Sequence, residues 1–218
     1  MGGYRQGRPS WMDPDFYPVQ EQLVKGAKAD PNAAFVVDIG GNIGHDLAEF
    51  AGKHADFPGR LVLQDLPVVL GQIAGLDDRI ERMPYDFYTE QPLKGKHDRP
   101  SSSLVTSAHD GSIGARAYYM HSVLHDWPDE TCEKILLNVK NAMEPGYSKL
   151  LINENVIPNQ QAHWEATALD MMMLTLLAAK ERTRAQWYHL LEERAGFKIV
   201  KIWDVGNGVE SLIECQLP

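Results

Sequence analysis

The feature that most constrains this chain is an alternation. Short β-branched and aliphatic runs take turns with segments whose apolar residues recur at helical spacing. Ala34–Ile39, Arg60–Leu66, Ile80–Phe87, Ala117–Leu124 and Lys149–Ile157 read as strands. His45–His54, Val68–Ala74, Glu130–Met143, Ala162–Ala179 and Arg184–Ala195 read as helices. Within Glu130–Met143, the apolar Ile135, Leu136, Val139 and Met143 share one face, and Pro145-Gly146 lies just beyond its end. Gly196 follows the last helix as its stop residue. Strands alternating with helices give a parallel sheet covered on both faces. Lys198–Val205 and Glu210–Leu217 close the chain around Gly206-Asn207-Gly208, a hairpin signal that turns the last strand antiparallel. The expected fold is α/β: a seven-stranded sheet with helices on both faces and an antiparallel last strand.

The chain has 218 residues, which suits one such domain with a core large enough to need no disulfide or metal. Residues 32–218 are assigned to it. Residues 1–31 form an N-terminal extension whose Tyr4, Trp11, Phe16 and Tyr17 are expected to pack on it, with a short helix near Val19–Ala29 stopped by Pro31. Lys96–Gly114 breaks the rhythm: it is polar, Ser-rich and aperiodic. It reads either as an artefact such as a retained intron or as a functional loop. Cys132 and Cys215 are far apart and form no zinc framework; buried thiols in a reducing compartment are the simple reading. Thirty acidic against 21 basic residues give a net charge of −9, which disfavours nucleic acid and suits a neutral or cationic small molecule. No apolar run is long enough to cross a membrane, and the first residues lack the apolar core of a signal peptide, so a cytoplasmic protein is expected.

The first strand ends in Asp38-Ile39-Gly40-Gly41-Asn42-Ile43-Gly44 and a helix follows. Glycines at such a turn let a ligand approach the backbone, because no Cβ intervenes. Open α/β sheets bind ligands there. The dinucleotide fingerprint fails, since Asn42 and His45 stand where its second and third glycines belong. The Gly-Lys-Ser/Thr of a phosphate-binding loop is absent too. A tight turn without a ligand is the bland alternative. Asp65, at the end of the second strand in Gln64-Asp65-Leu66-Pro67, stands about 20 residues on, where nucleoside-binding folds place a ribose-binding carboxylate. Alone it would read as a helix cap before Pro67.

In order along the chain come DIGGNIG, LQDLP, YDFY, HSVLHDWPDE, LLINENVIP and AKERT. This succession resembles the caffeate-type, metal-independent O-methyltransferases that use S-adenosylmethionine, above all their fungal secondary-metabolism branch. The resemblance runs from about Ala33 to the C-terminus, interrupted only by the Ser-rich segment. It implies a class I methyltransferase fold. It implies that Asp38, Gly40, Gly41 and Gly44 form the S-adenosyl-L-methionine loop, that Asp65 and Leu66 lie at the ribose, and that Asp86 and Phe87 lie against the adenine. It makes His125 the general base, with Glu154 and Glu181 orienting it. Trp164, Met171, Met172 and Met173 stand on the helix that lines the acceptor pocket in relatives. His121 stands where plant relatives carry a cofactor-side lysine, and Asn42 replaces a usual glycine. The family's N-terminal dimerisation domain has no counterpart here, so a homodimer or a partner subunit could complete the pocket.

The implied reaction transfers a methyl group to a hydroxyl of a small aromatic molecule. A phenol titrates near pH 10 and a histidine near 6.5, so the base must act as the oxygen attacks. Such help contributes roughly 10²–10⁴-fold. A carboxylate on the other ring nitrogen would fix the tautomer and stabilise the imidazolium. Simpler readings compete: Asp126 or Asp129 as a cap for the Glu130 helix, Glu154 as a surface acid, and the methionines as core filler. His121 and His125 straddle a strand and its exit, and no third ligand accompanies them, so no metal is expected. The alternative function is a catalytically impaired, methyltransferase-like subunit that binds a partner chain.

Overall fold

The computed structural model describes residues 9–95, 114–158, 160, 162, 164–177, 180–205 and 210–218. In chain order the elements are β1 (Ala34–Ile39), α1 (His45–Lys53), β2 (Arg60–Asp65), α2 (Pro67–Leu70), β3 (Ile80–Pro84), β4 (Ala117–His121), α3 (Asp129–Ala142), β5 (Lys149–Glu154), β6 (Val156–Ile157), α4 (Trp164–Leu177), β7 (Arg182–Thr183), α5 (Arg184–Tyr188), β8 (Lys198–Trp203) and β9 (Ser211–Gln216). Seven strands form one sheet in the order β3-β2-β1-β4-β5-β9-β8. The pairs from β3 to β5 are parallel, and β9 runs antiparallel to both neighbours, as the sequence predicts. The Gly206-Asn207-Gly208 turn expected between β8 and β9 lies outside the described residues, as does the Ser-rich segment up to residue 113.

Both sheet faces are covered, which explains why β1 is buried at all six positions. Val37, Ile39, Tyr118 and Ile152 pack beneath α3 and α5. Phe35, Tyr119 and Leu151 pack beneath α1 and the N-terminal segment, whose Trp11, Phe16 and Tyr17 are buried there. Tyr4 lies outside the described residues. Arg116 anchors this segment by donating to the carbonyls of Leu23 and Gln22 at 3.0 and 2.8 Å.

Four expectations need correction. The helix expected over Val19–Ala29 is a single wide turn, Gln20–Val24, because the chain turns left-handed at Gly26 (φ 86°). The strand expected to reach Phe87 stops at Pro84: the Tyr85 N–H makes a last bond to the Asp65 carbonyl at 2.9 Å, and the chain then turns, with the Thr89 N–H donating to the Asp86 carbonyl at 2.8 Å. The strand expected over Ala117–Leu124 stops at His121, because Ser122 is left-handed (φ 52°). The run read as one strand, Lys149–Ile157, is two: β5 stays in the main sheet, while β6 leaves it to pair with β7.

Candidate active site

The C-terminal ends of β1, β2, β4 and β5 bring the expected residues together. At the glycine turn, Gly40, Asn42 and Gly44 all have positive φ (72°, 54° and 81°). Asparagine tolerates that conformation, so the departure at Asn42 leaves the turn intact. A Cβ on Gly41 would overlap the Asp38 carboxylate, so that position is closed to other residues. The turn is fastened to β2: the Gly40 N–H donates to the Gln64 carbonyl at 2.8 Å, and the Asn42 N–H to Asp65 Oδ2 at 2.8 Å. Asp65 Oδ1 also accepts from the Leu66 N–H at 2.7 Å. Beyond β3, Asp86 Oδ1 accepts from the Tyr88 N–H, and the Phe87 ring stands edge-on to Tyr88 (5.0 Å) and Trp127 (6.1 Å). Tyr88 and Trp127 were not singled out by sequence reasoning; their aromatic character was the available signal.

His125 sits on a single tight turn, Leu124–Asp126, just after β4, and is buried. Its Nδ1 lies 3.0 Å from Glu181 Oε1 and 3.5 Å from Glu154 Oε2. Glu154 Oε1 accepts from the backbone N–H groups of Leu124 and His125 at 2.9 and 3.3 Å. Glu154 ends β5 beside β4, so the main sheet delivers it. Glu181 arrives differently: the short β6–β7 ladder pairs Val156 with Arg182 and carries the preceding residue to the histidine. Both glutamates are buried, which sets aside the reading of Glu154 as a surface acid.

Burial works against a charged His125, but the Glu181 hydrogen bond and the nearby Glu154 and Asp126 charges outweigh it and raise its pKa to about 9. Burial raises Glu154 to about 7, with His125 pulling the other way. On the far side of the ring, Nε2 lies 3.4 Å from Asp126 Oδ1. Asp126 therefore does not cap the helix, and neither does Asp129: the residue before α3 is Pro128, and no side chain caps it. Asp129 instead receives Arg182 at 2.8 Å. Fully buried Arg182 also donates to the carbonyls of Leu124 and Trp127, both at 2.8 Å, and so clamps the His125 turn. Sequence reasoning missed Asp126 as a neighbour of the base and Arg182 as its anchor.

His121 does not stand free beside the glycine turn. Its Nδ1 lies 2.7 Å from Asp46 Oδ2 and its Nε2 3.0 Å from Glu210 Oε1. Burial opposes its charge, and these two carboxylates still raise its pKa to about 10. On α4, Trp164, Met171 and Met172 are 69%, 64% and 51% exposed, and Met173 is 7% exposed. Met173 is thus core, while the other three are largely exposed. No helix among the described residues is long and apolar enough to cross a membrane.

Residues 108–198 match the family model of the O-methyltransferase domain. Methyltransferase cfoC of Aspergillus candidus is 42% identical over 98% of this chain and 48% of its own length. O-methyltransferase mpaG of Penicillium brevicompactum is 40% identical over 100% of this chain and 50% of its own. The chain spans about half the length of the curated relatives it matches. Two solved structures, LepI in complex with S-adenosylmethionine and a pericyclic reaction enzyme, each superpose with a TM-score of 0.80 and 30% identity over 97% of this chain and 49% of theirs. The sheet order and these likenesses together give a class I methyltransferase fold.

Proposed function

We propose that this chain, which carries the O-methyltransferase domain and is homologous to the fungal O-methyltransferases, transfers a methyl group from S-adenosylmethionine to a phenolic hydroxyl of a small molecule, with His125 as general base. The observation that carries this reading is the orientation of His125, its Nδ1 held at 3.0 Å by the buried Glu181.

The residues fit the cofactor. Asp65 uses two acceptor positions on backbone N–H groups, and a carboxylate has about four, which leaves capacity for ribose hydroxyls. The missing Cβ at Gly40 and Gly41 makes room for the Val123 side chain and the Asp38 carboxylate, which sets the tight course of the turn. Asp86 and Phe87 supply an acid and an aromatic edge beyond β3. When bound, S-adenosylmethionine supplies the electrophilic methyl group.

The chain's own residues then handle a proton. Glu181 accepts from Nδ1–H, so Nε2 is the nitrogen left to take the proton of the acceptor hydroxyl. The imidazolium that forms is stabilised by Glu181 and Glu154. The raised pKa lowers the cost of taking a proton from a phenol. A base near 9 takes a proton from a phenol near 10 at a cost of about 1.4 kcal/mol, against about 5 kcal/mol for an unperturbed histidine. Its counterweight is that only about 1% of His125 is deprotonated at pH 7 in the absence of ligands.

The test compares the unmodified chain with His125→Ala, using radiolabelled S-adenosylmethionine with catechol and caffeate as acceptors. Methyl transfer is expected to fall about 10²–10⁴-fold while calorimetric cofactor affinity stays within a factor of about three. An unmodified chain that binds no cofactor would overturn the reading. A second reading, an impaired subunit completed by a partner chain, draws support from the outward-facing Trp164, Met171 and Met172. Cofactor binding without any methyl transfer by the unmodified chain would favour it.

A further inference from the structure

We infer that His125, Glu154 and Glu181 form an inhibitory site for zinc or a similar borderline divalent metal ion. One ligand atom from each residue lies within 4.8 Å of the others, and all three residues are buried. Tetrahedral zinc holds nitrogen and oxygen ligands at about 2.0–2.2 Å, which sets neighbouring ligand atoms about 3.3–3.6 Å apart. The distances from Nδ1 to the two carboxylates, 3.0 and 3.5 Å, lie at or just below that spacing. Small side-chain shifts would seat the ion.

A second observation points the same way. Among the described residues, Glu154 Oε2 and Glu181 Oε2 are buried and make no hydrogen bond, Glu154 Oε2 having only its 3.5 Å contact with Nδ1. Buried carboxylate oxygens without a donor are costly. Two carboxylates and one imidazole offer a divalent cation charge compensation that one imidazole proton only half provides. Sequence reasoning grouped these three residues as a base and its partners, and weighed only the His121/His125 pair for a metal, which is the wrong pair. His121 is occupied elsewhere by Asp46 and Glu210.

The consequence for catalysis follows from the tautomer. Zinc on Nδ1 displaces the proton there, which leaves to solvent. The remaining ring proton must then sit on Nε2, so Nε2 becomes a donor and cannot accept the acceptor's proton. The reaction needs no metal; the ion would switch the base off, and removing it would switch it on. Binding itself does not rest on the methyl-transfer reading, whereas the inhibition does.

The test titrates the full chain, first freed of metal with a chelator, with zinc chloride in a calorimeter. The unmodified chain is expected to show one site that weakens at least tenfold in Glu181→Gln, about 1.4 kcal/mol, and disappears in His125→Ala. S-adenosylhomocysteine binding, measured on each chain, reports that it is folded. Should Glu181→Gln lose it, His125→Ala decides alone. No zinc uptake by the unmodified chain, or equal uptake by the unmodified chain and His125→Ala, overturns the site. Zinc that binds there yet leaves methyl transfer unchanged overturns the inhibition while leaving the proposed function standing.

Discussion

At the scale of single residues, the chemistry turns on which charge faces which nitrogen of His125. Glu181 makes the 3.0 Å contact and Glu154 the longer one at 3.5 Å. Glu181→Gln therefore removes the main support of the imidazolium. The sign is fixed by that support: the apparent pKa falls from about 9, so the rising limb of the rate–pH profile moves to lower pH. The plateau above it also drops, by about tenfold or more, because the base is weaker toward a phenol. Methyl transfer followed from about pH 6 to pH 10 checks both effects. A profile whose midpoint does not move would remove Glu181 from the mechanism. His125, Glu154 and Glu181 were legible as a family pattern, and their burial and spacing are what the structure adds. Asp126 was visible only as a potential cap, since nothing local says that its carboxylate lies beside Nε2.

At the scale of elements, the site depends on a break that periodicity does not reveal. Lys149–Ile157 reads as one strand, yet the chain leaves the main sheet after Glu154. The Trp187 indole N–H donates to the Asn155 carbonyl at 3.0 Å, a contact between residues 32 apart that no local pattern encodes. The two-residue ladder that results holds Arg182 and sets Glu181 just before it, so one short stretch supplies a partner for the base and the clamp for its turn. Arg182→Met keeps much of the side-chain volume but removes the guanidinium bonds to Asp129 and to the Leu124 and Trp127 carbonyls. Losing one partner of a buried ion pair costs about 3–5 kcal/mol. Because Asp129 keeps some access to water, the lower end is expected, with methyl transfer reduced more than cofactor affinity. Urea denaturation measures the first effect, and a loss under about 1 kcal/mol would show that the clamp does not hold the turn. The inner strands β1, β2, β4 and β5 were legible for the opposite reason: each is a short run buried along nearly its whole length, and burial of that kind writes a continuous apolar signature.

At the scale of the whole molecule, the parts that meet at the glycine turn are held together by charge as well as by packing. Asp46 lies in the first turn of α1, His121 at the end of β4 and Glu210 just before β9, and the imidazole joins them. Tyr119 extends the cluster by donating to Asp46 at 2.8 Å, and the Trp11 indole N–H donates to the Tyr119 hydroxyl at 3.0 Å, reaching the N-terminal segment. Composition gave the net charge of −9 but not this local balance of one cation between two acids. The linkage has a definite direction. His121 has a folded pKa raised to about 10 from 6.5, with burial opposing and the two carboxylates prevailing. Its contribution is fully present below about pH 6.5 and is lost as pH rises through about 10. Between those limits the folded state holds one proton more at this residue, so stability falls by about 1.4 kcal/mol per pH unit from His121 alone. His125 adds a loss of the same sign up to about pH 9. His121→Gln keeps hydrogen-bonding capacity but cannot titrate. It is expected to lower stability at pH 7 and to flatten its decline between about pH 7 and pH 10, leaving the His125 part in place. Urea midpoints of the two chains across that range read this directly, and parallel curves would show that the imidazole is neutral where α1, β4 and β9 meet.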